Sequence, residues 1–328
     1  MGELICLGIE STAHTFGVGI VTESGRILAS EKDVYKPPLG FGIIPEEAAR
    51  HHKQLKEKLF EAALEKAGIS ADKIGVVVYA CGAGLPPCLR VGADFATELS
   101  RKLGKPLVQV CHQIGHIEIG RLATEAKDPI IVYLSGGNTQ IIGYNEGRYR
   151  IFGETEDIPI GNALDVLARE MGLPMPGGPE IERLAADGNY VKLPYVVKGM
   201  DLSFSGILTF ASNKLKTGIS KKDLAFSMQE TCFAMLTEVA ERALAHTNKK
   251  EVLLVGGVAL NKRLQEMLRA MCEDRGAKFF AVPALYGMDN GAMIAWAGLL
   301  AYKSGWKPNF TDKIRPKWRT DEVEVKWF

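Results

Sequence analysis

The chain has 328 residues, 46% of them hydrophobic and 24% charged, with 40 Lys and Arg against 39 Asp and Glu. This is the make-up of a soluble globular chain long enough for two domains, and a net charge near zero argues against a stand-alone nucleic-acid binder, which needs a local excess of cations. No run is apolar enough to span a bilayer and no charged-then-apolar leader opens the chain, so a cytoplasmic protein without membrane contact is expected. The six cysteines are scattered with no C-x-x-C pair, which fits buried reduced thiols better than a disulfide framework.

In chain order the elements repeat. Residues 4–10 read as a strand, 11–15 as a polar turn, 16–22 as a strand, Ser24 and Gly25 as a hairpin and 26–31 as a third strand. The same series recurs at 130–134, 135–138, 139–144, Glu146 and Gly147, and 148–152. Residues 76–80 lead through a glycine-rich turn into a helix, as 252–255 do through Gly256 and Gly257; residues 107–110 and 278–282 are strands that each lead to a further helix. Within the first half, 45 to about 66 predicts an amphipathic helix. Two like α/β halves about a pseudo-twofold axis place equivalent strand ends on opposite walls of one cleft. The expected division is 1–127 and 128–328, with an insert at about 175–213.

One half enters its last helix through His112 and His116, the other through Asp289. Imidazoles four apart share a helix face and can hold one metal ion, and an oxygen ligand from the other half would complete a clamp between domains. The spacing matches the zinc-protease motif H-E-x-x-H, but Gln113 stands where that motif has its general base and cannot take a proton. A plainer role for Asp289 is helix capping. Glycine-rich turns at Ser135 to Asn138 and at Gly256 and Gly257, the latter entering a helix through Asn261, suit close approach of an anionic nucleotide. Asp165 and Glu182 are placed as a ribose clamp would be, or are first-turn helix acids.

The stretches 8–15 (GIESTAHT), 44–52 (IPEEAARHH), 112–116, 133–140 (YLSGGNTQ), 161–165, 177–179, 201–206 (DLSFSG), 256–258 and 289–295 (DNGAMIA) stand in one order over essentially the whole chain. In this the chain resembles the tRNA N6-adenosine threonylcarbamoyltransferase family in its archaeal and eukaryotic form, the catalytic subunit of the KEOPS assembly, once labelled O-sialoglycoprotein endopeptidase. The resemblance implies a duplicated α/β fold of the actin-like, Hsp70-like, sugar-kinase-like ATPase type, with two lobes around a nucleotide-binding cleft. It implies metal ligands at His112, His116, Tyr133 and Asp289 for one iron or zinc ion per subunit, and nucleotide contacts at Tyr133, Leu134, Ser135, Gly136, Gly137, Asp165, Gly178, Glu182 and Asn261. Ala83 and Met288 depart from the family's usual proline and arginine, and neither is a proposed ligand.

The implied reaction transfers a threonylcarbamoyl group from its anhydride with AMP to N6 of the adenosine beside the anticodon, in tRNAs that read codons beginning with A; ATP and AMP would bind as analogues. His14 is the expected proton acceptor, with Glu10 as runner-up, since an unperturbed imidazole titrates near neutrality. Implied partners are tRNA, an atypical protein kinase and a small dimerising subunit. Two basic stretches, 313–319 and Lys53, Lys56 and Lys58, are candidate tRNA contacts or solvated faces, and the apolar residues 325–328 either dock on the fold or lead into a further domain. A small-molecule kinase of the same fold, a non-catalytic ATP-binding scaffold and a metalloprotease are the alternatives.

Overall fold

The computed structural model describes residues 2–38, 41–307 and 311–328, which fall into two compact units. The first begins with β1 (Ile5–Glu10), β2 (Thr15–Thr22), β3 (Ile27–Val34), helix α1 (Pro45–Ala67), β4 (Val76–Gly82), α2 (Pro86–Leu103), β5 (Leu107–Cys111) and α3 (His112–Thr124). Its five strands lie in the order β3-β2-β1-β4-β5. The β1–β2 and β2–β3 pairs are antiparallel, and β1–β4 and β4–β5 are parallel. Strands β2 and β4 are buried at every residue and β1 at all but its first, as expected of near-continuous apolar runs with both faces covered. Helix α1 starts on Pro45 with Glu46 and Glu47 in its first turn and ends at Gly68, whose φ of 65° relieves the last carbonyls.

The second unit repeats the plan with β6 (Ile130–Leu134), β7 (Thr139–Asn145), β8 (Arg148–Glu154), α4 (Ile160–Glu170), α5 (Gly177–Ala185), a two-residue pair β9 (Val197–Lys198) and β10 (Asp201–Leu202), α6 (Ser205–Lys216), α7 (Lys221–Thr247), β11 (Glu251–Val255), α8 (Lys262–Asp274), β12 (Lys278–Ala281) and α9 (Ala284–Gly287). Its sheet order, β12-β11-β6-β7-β8, matches the first sheet element for element. The insert expected at about 175–213 becomes α5, the β9–β10 pair and most of α6. Among the described residues no helix is long and apolar enough to cross a membrane.

The last helix, α10 (Gly291–Lys303), packs on β1, β2 and β4, and residues 288–328 belong to the first unit. The compact units therefore differ from the expected division at residue 127. The physical reason is a contact that only glycine permits. A Cβ on Gly8 would lie 2.2 Å from the Ala295 nitrogen, one on Gly19 2.1 Å from the Ala292 nitrogen, and one on Gly291 2.2 Å from the Gly19 nitrogen. The chain after α10 is tied to the same unit: the Tyr79 hydroxyl donates to the Lys313 carbonyl at 2.9 Å, the Arg315 N–H to the Cys81 carbonyl at 2.6 Å, and the Trp327 indole to buried Glu118 at 2.9 Å. Residues 325–328 thus dock on the fold.

Gly19→Ala is expected to lower the unfolding free energy by roughly 1–3 kcal/mol or more, because a backbone neighbour cannot rotate away. Gly42→Ala, where a Cβ meets nothing within 4 Å, is expected to stay within about 0.5 kcal/mol of the parent. Urea unfolding of both variants distinguishes the two cases.

Candidate functional site

Helix α3 follows β5 without a loop, so His112 is its first residue and His116 lies one turn on, with ring centroids 4.7 Å apart and planes at 83°. Asp289 precedes α10, and its Oδ1 is 3.1 Å from His116 Nε2 and 3.6 Å from His112 Nε2. One ligand atom from each of the three residues lies within 4.8 Å of the others. Gly115 allows this convergence: a Cβ there would already sit 3.1 Å from the Ile294 side chain on α10. Two expectations are corrected. Asp289 does not cap α10, because Asn290 does so by accepting from the Met293 N–H at 2.9 Å. Nor do the three groups come from separate halves, since all belong to the first unit.

Glu10, at the end of β1, is wholly buried and orients His112. Its Oε2 is 2.8 Å from His112 Nδ1, while its Oε1 accepts the Thr12 N–H at 2.6 Å and the Thr12 hydroxyl at 2.5 Å. A carboxylate on Nδ1 fixes the ring and leaves Nε2 to face Asp289. Burial alone would lower the His112 pKa, but the charges of Glu10 and Asp289 outweigh it and push the pKa up to about 9. His116 moves the other way, because burial outweighs the help of Asp289. Burial would raise Asp289, yet the two histidines hold its carboxyl well below the usual range. The raised His112 pKa favours a proton on the ring that lies between Glu10 and Asp289. A metal cation can replace that proton, and two imidazole nitrogens with one carboxylate oxygen are a donor set for zinc or iron.

His14 opens the way into β2, and its Nδ1 is buried without a hydrogen-bond partner. The loop that carries it is fastened by a residue the motif reading left without a role. Fully buried His52 on α1 has its Nε2 2.9 Å from the Ala13 carbonyl, and burial lowers its pKa to about 4, so it is a neutral donor at physiological pH.

The expected nucleotide residues all lie in the second unit. Tyr133 and Leu134 end β6, fully buried, with Tyr133 paired to Gln140 and to Val255. In the turn that follows, the Ser135 hydroxyl accepts the N–H groups of Gly137 at 3.2 Å and Asn138 at 3.0 Å. A Cβ on Gly161 would be 2.6 Å from the Ser135 carbonyl, and one on Gly256 2.2 Å from the Leu134 carbonyl, so α4 and the turn after β11 close on the end of β6. Asp165 accepts the Gly177 N–H at 2.7 Å, and Glu182 accepts the Lys262 N–H at 2.7 Å where α8 begins. Asn261 caps α8 by accepting from Leu264 N–H at 3.1 Å and donates to Gln229 at 2.9 Å. These contacts gather the set. A Cβ on Gly136, Gly137 or Gly178 would meet nothing within 4 Å, so packing within the unit does not demand glycine at these three positions. The Asp201–Gly206 motif has a partner that was missed: Asp157 accepts from the Ser203 hydroxyl at 2.5 Å, the Ser205 hydroxyl at 2.6 Å and the Phe204 N–H at 2.9 Å.

Four cations of the two basic stretches have counter-charges. Lys313 pairs with Asp94 at 3.2 Å, Arg315 with Glu322 at 3.6 Å and Arg319 with Asp321 at 3.1 Å, and Lys56 lies between Glu57 and Glu98.

The sequence profile of the tRNA N6-adenosine threonylcarbamoyltransferase family matches residues 25–296. A protein of that name from Thermofilum pendens is 53% identical over all of this chain and 98% of its own length, and one from Archaeoglobus fulgidus is 54% identical over 99% of this chain and 100% of its own. A "probable bifunctional tRNA threonylcarbamoyladenosine biosynthesis protein" from Methanocaldococcus jannaschii is 53% identical over 99% of this chain, which spans 60% of that longer protein. Among solved structures, T. kodakarensis HypF aligns with a TM-score of 0.64 at 16% identity, over 92% of this chain and 48% of HypF. The activator of 2-hydroxyisocaproyl-CoA dehydratase from Clostridium difficile aligns with 0.56 at 13% identity, over 95% of this chain and 100% of the activator. At such identities the likeness concerns the fold alone, the duplicated actin-like ATPase fold.

Glu10→Gln is expected to weaken metal binding by about 10–100-fold, as loss of the group orienting a ligand does, and to bring the His112 pKa down from about 9. In the parent, metal uptake should release a proton and strengthen as pH rises toward about 9, since the raised pKa means the ligand must first be deprotonated. Chelator competition across pH, together with imidazole NMR titration of the metal-free protein, measures both.

Proposed function

The chain belongs to the tRNA N6-adenosine threonylcarbamoyltransferase family, and from that membership we propose that it transfers the threonylcarbamoyl group from threonylcarbamoyl-AMP to N6 of the adenosine beside the anticodon of tRNAs reading codons that begin with A. The observation that carries the metal-dependent part of this reading is the convergence of His112, His116 and Asp289 behind a buried Glu10. A magnesium-dependent kinase has no need of paired imidazoles.

The step is an acyl transfer. The N6 lone pair forms a bond to the carbamoyl carbon, the bond from that carbon to the phosphate oxygen breaks, AMP departs with the electron pair, and the amine loses a proton. The anhydride supplies its own leaving group, so the protein has to align a weak nucleophile, hold the adenylate and accept that proton. Ser135, Gly136 and Gly137 would face the phosphate, with open space at the two glycines for its approach, while Asp165, Gly178, Glu182 and Asn261 would hold the nucleoside. Asp165 and Glu182 already accept backbone N–H groups at the starts of α5 and α8, which keeps both carboxylates in place. His14, whose buried Nδ1 has no hydrogen-bond partner among the described residues, is the proposed proton acceptor. His112, His116 and Asp289 would hold an iron or zinc ion, which when bound supplies Lewis acidity and a template for oxygen atoms of the substrate. Tyr133, the further ligand implied by the resemblance, stands in β6 of the second unit beside the proposed nucleotide residues. The proposed setting is the cytoplasm and a KEOPS-type assembly with an atypical protein kinase and a small dimerising subunit.

The test is a transfer assay with the assembled subunits, unmodified tRNA and supplied threonylcarbamoyl-AMP, scoring the modified nucleoside by mass. His112→Ala and Asp289→Ala should each lose bound metal and at least about 100-fold in rate, the scale of removing a group that stabilises transition-state charge, with unfolding midpoints near that of the parent. Product should vanish on chelation and return when metal is added back. Full activity in either variant without bound metal would remove the metal from the reaction, and His14→Ala with parental activity would free His14 from the proton-acceptor role.

A further inference from the structure

Although the whole chain is balanced in charge, residues 188–222 contain six lysines, no arginine and a single acid, Asp201. That acid is engaged, accepting the Glu154 N–H at 3.1 Å. Lys222 pairs with Asp187 at 3.0 Å and Lys221 donates to the Met171 carbonyl at 2.7 Å, but the other four lysines are less engaged. Lys192, Lys214 and Lys216 have no carboxylate within salt-bridge distance among the described residues, and Lys198 has only exposed Glu156 at 3.6 Å.

Geometry turns residues 189–199 into a surface along α7, and Lys214 and Lys216 stand on α6, which packs on that same helix. Residues 189–199 run in extended form along α7: the Asn189 N–H donates to Asp223 at 2.8 Å, the Val191 N–H to the Ser227 hydroxyl at 2.7 Å, the Tyr195 hydroxyl to Glu238, and Arg242 to the Gly199 carbonyl. The stretch of α7 from Asp223 to Arg242 measures roughly 28 Å at the helical rise. Leu193 is buried against the unit, while Tyr190, Lys192, Tyr195 and Lys198 face outward, the two tyrosines 57% and 50% exposed. Exposed aromatic faces alternating with cations along an extended backbone are what a flexible polyanion with stacking bases requires. A protein surface is the poorer fit, because protein interfaces are depleted in lysine and this segment is dominated by it.

We propose that this insert, through Tyr190, Lys192, Tyr195, Lys198, Lys214 and Lys216, is an RNA-contact surface that takes phosphates on its lysines and unstacked bases on its tyrosines. It rests on the reading that the substrate is tRNA and assigns that substrate a face of this chain.

The experiment is titration of unmodified tRNA with the full chain in its assembly over a range of salt concentrations, alongside the transfer assay. The triple variant Lys192→Ala, Lys214→Ala, Lys216→Ala should weaken binding about tenfold or more near ~100 mM salt and reduce the slope of log affinity against log salt by about 2, one counterion contribution per lost phosphate contact. Tyr190→Ala should weaken binding about fivefold or more with the slope unchanged, and the triple Lys→Arg variant should bind like the parent. A triple alanine variant with parental affinity and slope overturns the proposal, as does one that keeps tRNA but loses a protein subunit. If the parent modifies tRNA while the variants are unaffected, the surface alone is wrong; if the parent neither binds nor modifies tRNA, the functional reading falls and the surface with it.

Discussion

Backbone contact between α10 and the strands β1 and β2 determines where Asp289 lies, and the candidate metal site depends on it. The helix can reach the sheet only because Gly8, Gly19 and Gly291 present no side chain at the crossing. Asn290 then caps the helix, which leaves the preceding carboxylate pointing away from the helix start toward α3. A residue 173 positions from His116 in sequence is thereby brought within 3.1 Å of it. Each step is local chemistry, and together they join the two ends of the first unit.

The second requirement is a buried acid behind the candidate metal ligands. Glu10 is completely enclosed and would be costly there without partners. It has three: the backbone and hydroxyl of Thr12 and the ring of His112. The same bonds that make its burial tolerable orient the imidazole, so stability and site geometry are served by one network. His52 plays a similar part for the loop bearing His14, held neutral by burial and bonded to the Ala13 carbonyl. In the second unit the proposed nucleotide residues are assembled differently, by close approaches at Gly161 and Gly256 to the end of β6 and by two carboxylates that secure neighbouring helix starts.

Much of this was legible in the sequence. The paired series of strands predicts ten strands, and all ten form, in two sheets of matching order. The hairpin at Glu146 and Gly147 shows the positive φ angles, 47° and 77°, that such a turn requires. His112 and His116 could be paired from helical spacing alone. What the repeat concealed was the allegiance of α10. Its place in the second series suggested the second half, whereas the glycines in β1 and β2 facing a helix that begins Gly291 and Ala292 were the signal for close packing on the first. Glu10 was noticed only as a possible base, because nothing in one-dimensional spacing links it to a histidine 102 positions away. Asp157 was invisible for the same reason: its partners lie 46 to 48 residues on, within the insert.

The central claim is that His112, His116 and Asp289 form one metal-binding centre preorganised by Glu10. Anomalous diffraction from crystals of the metal-loaded protein, collected on both sides of the metal absorption edge, tests it most directly. A single strong peak within bonding distance of His112 Nε2, His116 Nε2 and an Asp289 oxygen, absent in Asp289→Ala crystals, is the predicted result. A peak elsewhere in the molecule, or undiminished in the variant, would contradict it.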